Sequence, residues 1–168
     1  MNKKARQYLG LLLAVVAYYV IHEGAHLLYA LAFGVFKRIN FMGLGMQIAT
    51  YTEKMTDVQI GVFCLVGAVA TLVVAWLLII LREKICEVKS PVFRAAAYYI
   101  TIAMLFIDPL YLSVLCGFFG GGDMNGISLL LPETVARLLF AGIGMLHAFA
   151  FVMLVPPAYK TSFRENTI

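Results

Sequence analysis

The sequence predicts an all-α membrane protein of about four transmembrane helices, with a short β-hairpin or re-entrant segment after the first. Hydrophobic residues make up 62% of the chain and charged ones 13%, where a soluble domain carries roughly 45–50% apolar residues. The apolar residues collect into four runs, near 8–33, 58–81, 95–118 and 134–155, each close to or above the roughly 20 residues that cross a bilayer. At 168 residues this leaves no room for a sizeable soluble domain, and 1–168 reads as a single integral-membrane domain.

The first run follows Lys3-Lys4-Ala5-Arg6 and contains Ala30-Leu31-Ala32, the outline of a cleavable signal. His22 and Glu23 interrupt it and the stretch before Ala30 is long for a signal, so it is read as a retained span. The link from Gly34 to Asp57 contains Ile39 to Ile48, where glycines mix with short, partly alternating apolar runs. That pattern suits a hairpin or a re-entrant segment lining a cavity better than a helix; a loop resting on the headgroups is the alternative. The second link is basic, with Arg82, Lys84, Lys89 and Arg94. The third run contains Asp108-Pro109 and leads into Phe118-Phe119-Gly120-Gly121-Gly122-Asp123-Met124-Asn125-Gly126. Three consecutive glycines break a helix and allow close backbone approach, which frees Asp123 to point where the fold needs it. Glu133, after Pro132, opens the last run as a first-turn acid near the positive end of the helix dipole.

Of the 13 basic residues, nine flank the spans on one side: Lys3, Lys4, Arg6, Arg82, Lys84, Lys89, Arg94, Lys160 and Arg164. Only Lys37, Arg38, Lys54 and Arg137 oppose them, so the positive-inside rule places both termini in the cytoplasm. Size and simplicity suggest a bacterial cytoplasmic membrane. The net charge of +4 is dispersed and forms no aromatic-interleaved patch, which argues against nucleic acid. Cys64, Cys86 and Cys116 have no CxxC spacing, and no disulfide is expected.

The chemistry lies in His22-Glu23-Gly24-Ala25-His26. On a helix the two histidines stand one turn apart on one face, the spacing at which two imidazoles grip one tetrahedral zinc. Glu23 is placed beside them to hold a water and take its proton. Ionisable residues at the centre of a membrane helix cost about 2.5–3.5 kcal/mol each on insertion scales, so three together point to use rather than accident. The bland reading is a polar cluster of a helical bundle, paired internally or with Asp108.

A catalytic zinc takes a third protein ligand, and Asp123, Asp108, His147, Glu133 and Glu53 are the candidates. Counting about 1.5 Å per residue, Asp108 lies at the depth of the histidines and is favoured on that ground. Asp123 lies nominally beyond the membrane end. It reaches the histidines only if Asp108-Pro109 kinks its helix or the glycine run folds back. His147, in an apolar stretch, reads as a packed, hydrogen-bonded histidine. Asn125 is a candidate for substrate or oxyanion contact, or for capping the next helix.

The HExxH helix, the glycine-bearing link after it and the later glycine-flanked aspartate together resemble the site-2 protease group of intramembrane zinc metalloproteases, including its small members. The resemblance implies Zn2+ held by His22, His26 and Asp123, with Asp108 the runner-up, and Glu23 as the catalytic glutamate. It implies a zinc metalloendopeptidase that hydrolyses a transmembrane or membrane-anchored protein substrate within the lipid bilayer. The chain departs from the larger members in lacking their Asn-Pro stretch just before the aspartate. Many members also hold zinc nearer the cytoplasm, whereas the charge count here puts it towards the outer face. The alternative is a non-catalytic, zinc-binding membrane regulatory or binding protein.

Overall fold

A computed structural model describes residues 2–42 and 45–165. Helices α1 (Lys3–Ala32), α2 (Asp57–Ile80), α4 (Pro91–Ser113) and α6 (Glu133–Glu165) are long and apolar enough to cross a membrane, and the short α3 (Arg82–Glu87) and α5 (Asp123–Ile127) occupy two links. Three helix starts are written in the sequence. The Asn2 side chain accepts from the Ala5 N–H, Thr56 and Gln59 form a reciprocal capping box, and Ser90 caps α4 with Pro91 just inside. The outer two spans overrun their apolar runs. At 33 residues, α6 is about 50 Å long, longer than a hydrocarbon core of about 30 Å is thick, and Lys160 and Arg164 lie in its last turns.

The central helix is α4, packed against α1, α2 and α6 and the most buried of the four. Small residues make the close contacts: Ala14 of α1, Ala68 and Ala75 of α2, and Ala95, Ala96 and Ala97 of α4 are all buried. Membrane helices associate in this way because lipid tails are as apolar as leucine and only close packing separates the alternatives. Large side chains such as Leu11, Leu12, Val16 and Val20 of α1 and Leu138, Leu139, Phe149 and Val152 of α6 point outward.

Pro109 does not end α4. Having no N–H, it leaves the carbonyl of Leu105, four residues earlier, without its helical donor. His147 of α6 supplies one, donating from Nδ1 to that oxygen at 2.8 Å, while the Trp76 indole of α2 donates to His147 Nε2 at 3.2 Å. A neighbouring span thus satisfies the broken turn, as apolar surroundings require. Both nitrogens of His147 are occupied, in keeping with a packed histidine of the bundle.

The link after α1 is a β-hairpin. Gly34, at φ 64°, turns the chain out of α1, and β1 (Phe36–Met42) pairs antiparallel with β2 (Gly45–Thr50), Ile39 opposite Ile48. Gly43 and Leu44, in the middle of the expected 39–48 segment, lie outside the described residues. Val35 and Ile48 bury against Ala30, with Phe63 of α2 packed alongside, which fastens the hairpin to the end of α1. The other anomalous link folds back. Gly120, Gly121 and Gly122 have φ of 82°, 85° and 45°, conformations that side chains disfavour, and they return the chain so that α5 packs on α2. Met124 and Ile127 of α5 bury with Ala68, Leu112 and Cys116. Of the two routes by which Asp123 could come inward, the structure uses the glycine turn.

Candidate metal centre

His22 and His26 are 7% and 3% exposed and point between α1, α2 and α5. Their Nε2 atoms stand 3.2 Å apart. Asp123 Oδ2 lies 3.2 Å from His22 Nε2 and 3.6 Å from His26 Nε2. Each of the three residues offers one ligand atom to a common point, and the group could hold a metal ion.

The opposite ring nitrogens decide what the Nε2 atoms can be. His26 Nδ1 lies 2.7 Å from the Phe63 carbonyl, which can only accept, so Nδ1 carries the hydrogen. His22 Nδ1 lies 3.2 Å from Asp108 Oδ1, again an acceptor. In neutral imidazoles both Nε2 atoms are then bare lone pairs. With both rings neutral, two lone pairs and a carboxylate oxygen converge, and among the described residues no lysine or arginine pairs with Asp123, an arrangement that a cation stabilises. Anchoring the far nitrogen to a carboxylate or carbonyl is also how ligating histidines are held in orientation.

Asp108 is 1% exposed and sits on the Nδ1 side of His22, away from the converging donors. It accepts from the Tyr18 hydroxyl at 2.6 Å and from the Thr71 hydroxyl. Tyr18, one turn before His22, also stacks on its ring, with centroids 5.3 Å apart. Glu23 belongs to neither set. It faces the hairpin, where its Oε2 accepts from the Ile48 N–H at 3.2 Å. An open cleft of about 660 Å³ is lined by His22, Glu23, His26 and Asp123 on one side and by Met46 and Ile48 on the other.

No protein-family model, curated protein or solved structure matches the chain.

The remaining candidates lie apart. Glu133 pairs with Arg137 in the first turn of α6, 2.7 Å between Oε1 and Nη2, Glu53 is exposed in a short turn, and His147 serves the Pro109 break. Asn125 does not line the cleft; its amide donates to the Gly120 carbonyl at 3.2 Å and braces the glycine turn.

Sequence reading found the α2 span but not its part in the site. Phe63, Gly67 and Thr71 recur every fourth residue and share one face of that helix, supplying in turn the carbonyl for His26, room for the Nε2 atoms and the hydroxyl for Asp108. A Cβ on Gly67 would lie 2.5 Å from His26 Nε2 and 2.8 Å from His22 Nε2. Thr71, a hydroxyl in an otherwise apolar run, was the available signal.

Proposed function

We propose that this chain is an intramembrane zinc metalloprotease in which His22, His26 and Asp123 hold the metal and Glu23 is the catalytic base. The observation that carries the reading is the convergence of two imidazole Nε2 atoms and one carboxylate oxygen at mutual distances of 3.2, 3.2 and 3.6 Å. A tetrahedral site with zinc–ligand bonds of about 2.0–2.2 Å has edges of about 3.3–3.6 Å, so the donors stand where such a site needs them. Two histidines and one carboxylate leave a fourth position open, as catalytic zinc sites do. Bound zinc would acidify a water and polarise a peptide carbonyl.

The chain's own groups would do the rest. Glu23 lines the cleft beside the donors without being one of them, so its carboxylate is available to accept a proton from the attacking water and return it to the leaving amine. The Ile48 N–H holds Glu23 Oε2 and so fixes the carboxylate against the hairpin. Asp108, held by Tyr18 and Thr71, keeps His22 in its Nδ1–H form.

The same hydrogen bond supports a reading of how a substrate would lie. Ile48 gives its N–H to Glu23, so its backbone faces away from β1, and alternation along a strand turns Met46 the same way. A helical substrate hides its carbonyls in intrahelical bonds; pairing with this strand edge would hold it extended across the cleft. Met46→Pro, which removes the outward-facing Met46 N–H and leaves the Ile48 N–H on Glu23 Oε2, is expected to lower cleavage of a transmembrane peptide about tenfold without loss of zinc. Unchanged cleavage would reject the edge-pairing step.

The ligand assignment is tested by zinc stoichiometry and affinity. Asp123→Asn is expected to weaken binding more than Asp108→Asn, for which the usual cost of an outer partner, about 10–100-fold in affinity, is expected. The reverse order would move the third ligand to Asp108. Zinc retained without any Glu23-dependent cleavage would favour a non-catalytic zinc-binding role.

A further inference from the structure

At the opposite end of the bundle from the hairpin, the first turns of α1 and α4 and the last turns of α6 enclose a hollow of about 350 Å³, lined by Lys3, Arg6 and Lys160 together with Tyr98, Tyr99 and Phe163. Among the described residues no acidic side chain lines it. Behind it lies Arg94, 1% exposed. One of its guanidinium nitrogens donates to the Val88 carbonyl at 2.6 Å, and its Nε has no hydrogen-bond partner. Arg94 and Arg6 both lie 5.3 Å from the centre of the Phe163 ring. Among the described residues, Lys3, Arg6, Arg94 and Lys160 have no carboxylate within ion-pair distance. A buried arginine is ordinarily paired; here four cations gather, and none has an anionic partner among the described residues.

A second hollow of about 350 Å³, lined by Lys4, Gln7, Tyr8, Leu11 and Tyr99, adjoins the first at Gln7 and Tyr99 and runs along α1 from Lys4 to Leu11, whose side chain faces outward among the apolar residues of that helix. Polar at one end and apolar at the other, the pair has the form of a phospholipid. From this we infer that the α1–α4–α6 end binds an anionic phospholipid, its phosphate among Lys3, Arg6 and Lys160 and one acyl chain along the Tyr99–Leu11 groove. The arrangement matches the basic pockets between spans that take anionic headgroups, and it stands independently of the metal centre.

The test is native mass spectrometry of the full chain released from micelles doped with equal phosphatidylglycerol and phosphatidylcholine. The wild type is expected to retain phosphatidylglycerol at least about tenfold over phosphatidylcholine. Lys3→Gln, Arg6→Gln and Lys160→Gln together should remove that preference. A control that removes equal charge from the same membrane face, Lys84→Gln, Lys89→Gln and Arg164→Gln together, should keep it. Circular dichroism establishes that both variants are folded; should the first triple variant fail to fold, Lys3→Gln with Arg6→Gln is expected to halve the preference or more. Equal retention of the two lipids by the wild type, or equal loss in the control, would overturn the proposal. So would retention of inorganic phosphate at the same concentration in place of the lipid, which would make the ligand a soluble anion.

Discussion

Glu23→Gln is expected to abolish peptide hydrolysis while leaving zinc in place. Glutamine keeps the shape of the side chain and an oxygen that can accept from the Ile48 N–H, now 3.2 Å from Glu23 Oε2, so the hairpin should stay seated. What it loses is the ability to take a proton. General acid–base catalysis contributes about 10²–10⁴-fold, and the loss in turnover should fall in or above that range. Cleavage of a transmembrane peptide in micelles, measured beside zinc content, checks both halves. Activity within a factor of a few of the wild type would remove Glu23 from the mechanism, and loss of zinc would make it a ligand.

Gly67→Ala should have the largest effect of any change to a residue without chemistry of its own. The added methyl would sit 2.5 Å from one Nε2 and 2.8 Å from the other, nearer than nonbonded atoms approach, in the space the donors share. Alanine is a better helix former than glycine by about 1 kcal/mol, so the helix itself should gain. Zinc content and cleavage are expected to fall together, by more than the roughly 10–100-fold of an outer-partner substitution, while the circular dichroism spectrum is kept. A Gly67→Ala protein with full zinc would place the metal elsewhere.

Much of this was legible in the sequence because the relevant rules are local. Four apolar runs give four helices, and i, i+4 histidines share a face whatever surrounds them. Alternating residues with glycines between Ile39 and Ile48 give a hairpin, although its bounds, Phe36 to Thr50, were wider than the pattern. Asp108 and Asp123 could not be separated that way. Depth counting treats spans as straight rods, and three positive-φ glycines brought Asp123 back by a route that no count contains. Nor could an aspartate at the right depth reveal which ring nitrogen it would meet; that depends on the Tyr18 and Thr71 hydroxyls arriving from two other helices. Gly67 was silent for the same reason. A glycine in an apolar span has several ordinary explanations until the atom facing it is known.

The donor atoms come from positions 101 residues apart in the chain, and this bears on how the protein is made. A chain emerging in order presents His22 and His26 first, then Gly67 and Thr71, then Asp108, and Asp123 last. Until the third span is inserted and the glycine turn has folded back, only two donors exist, and His22 lacks the Asp108 that meets its Nδ1. On the proposed reading, tight metal capture would therefore mark completion of the bundle, and a half-inserted chain would have no working centre with which to cut its neighbours.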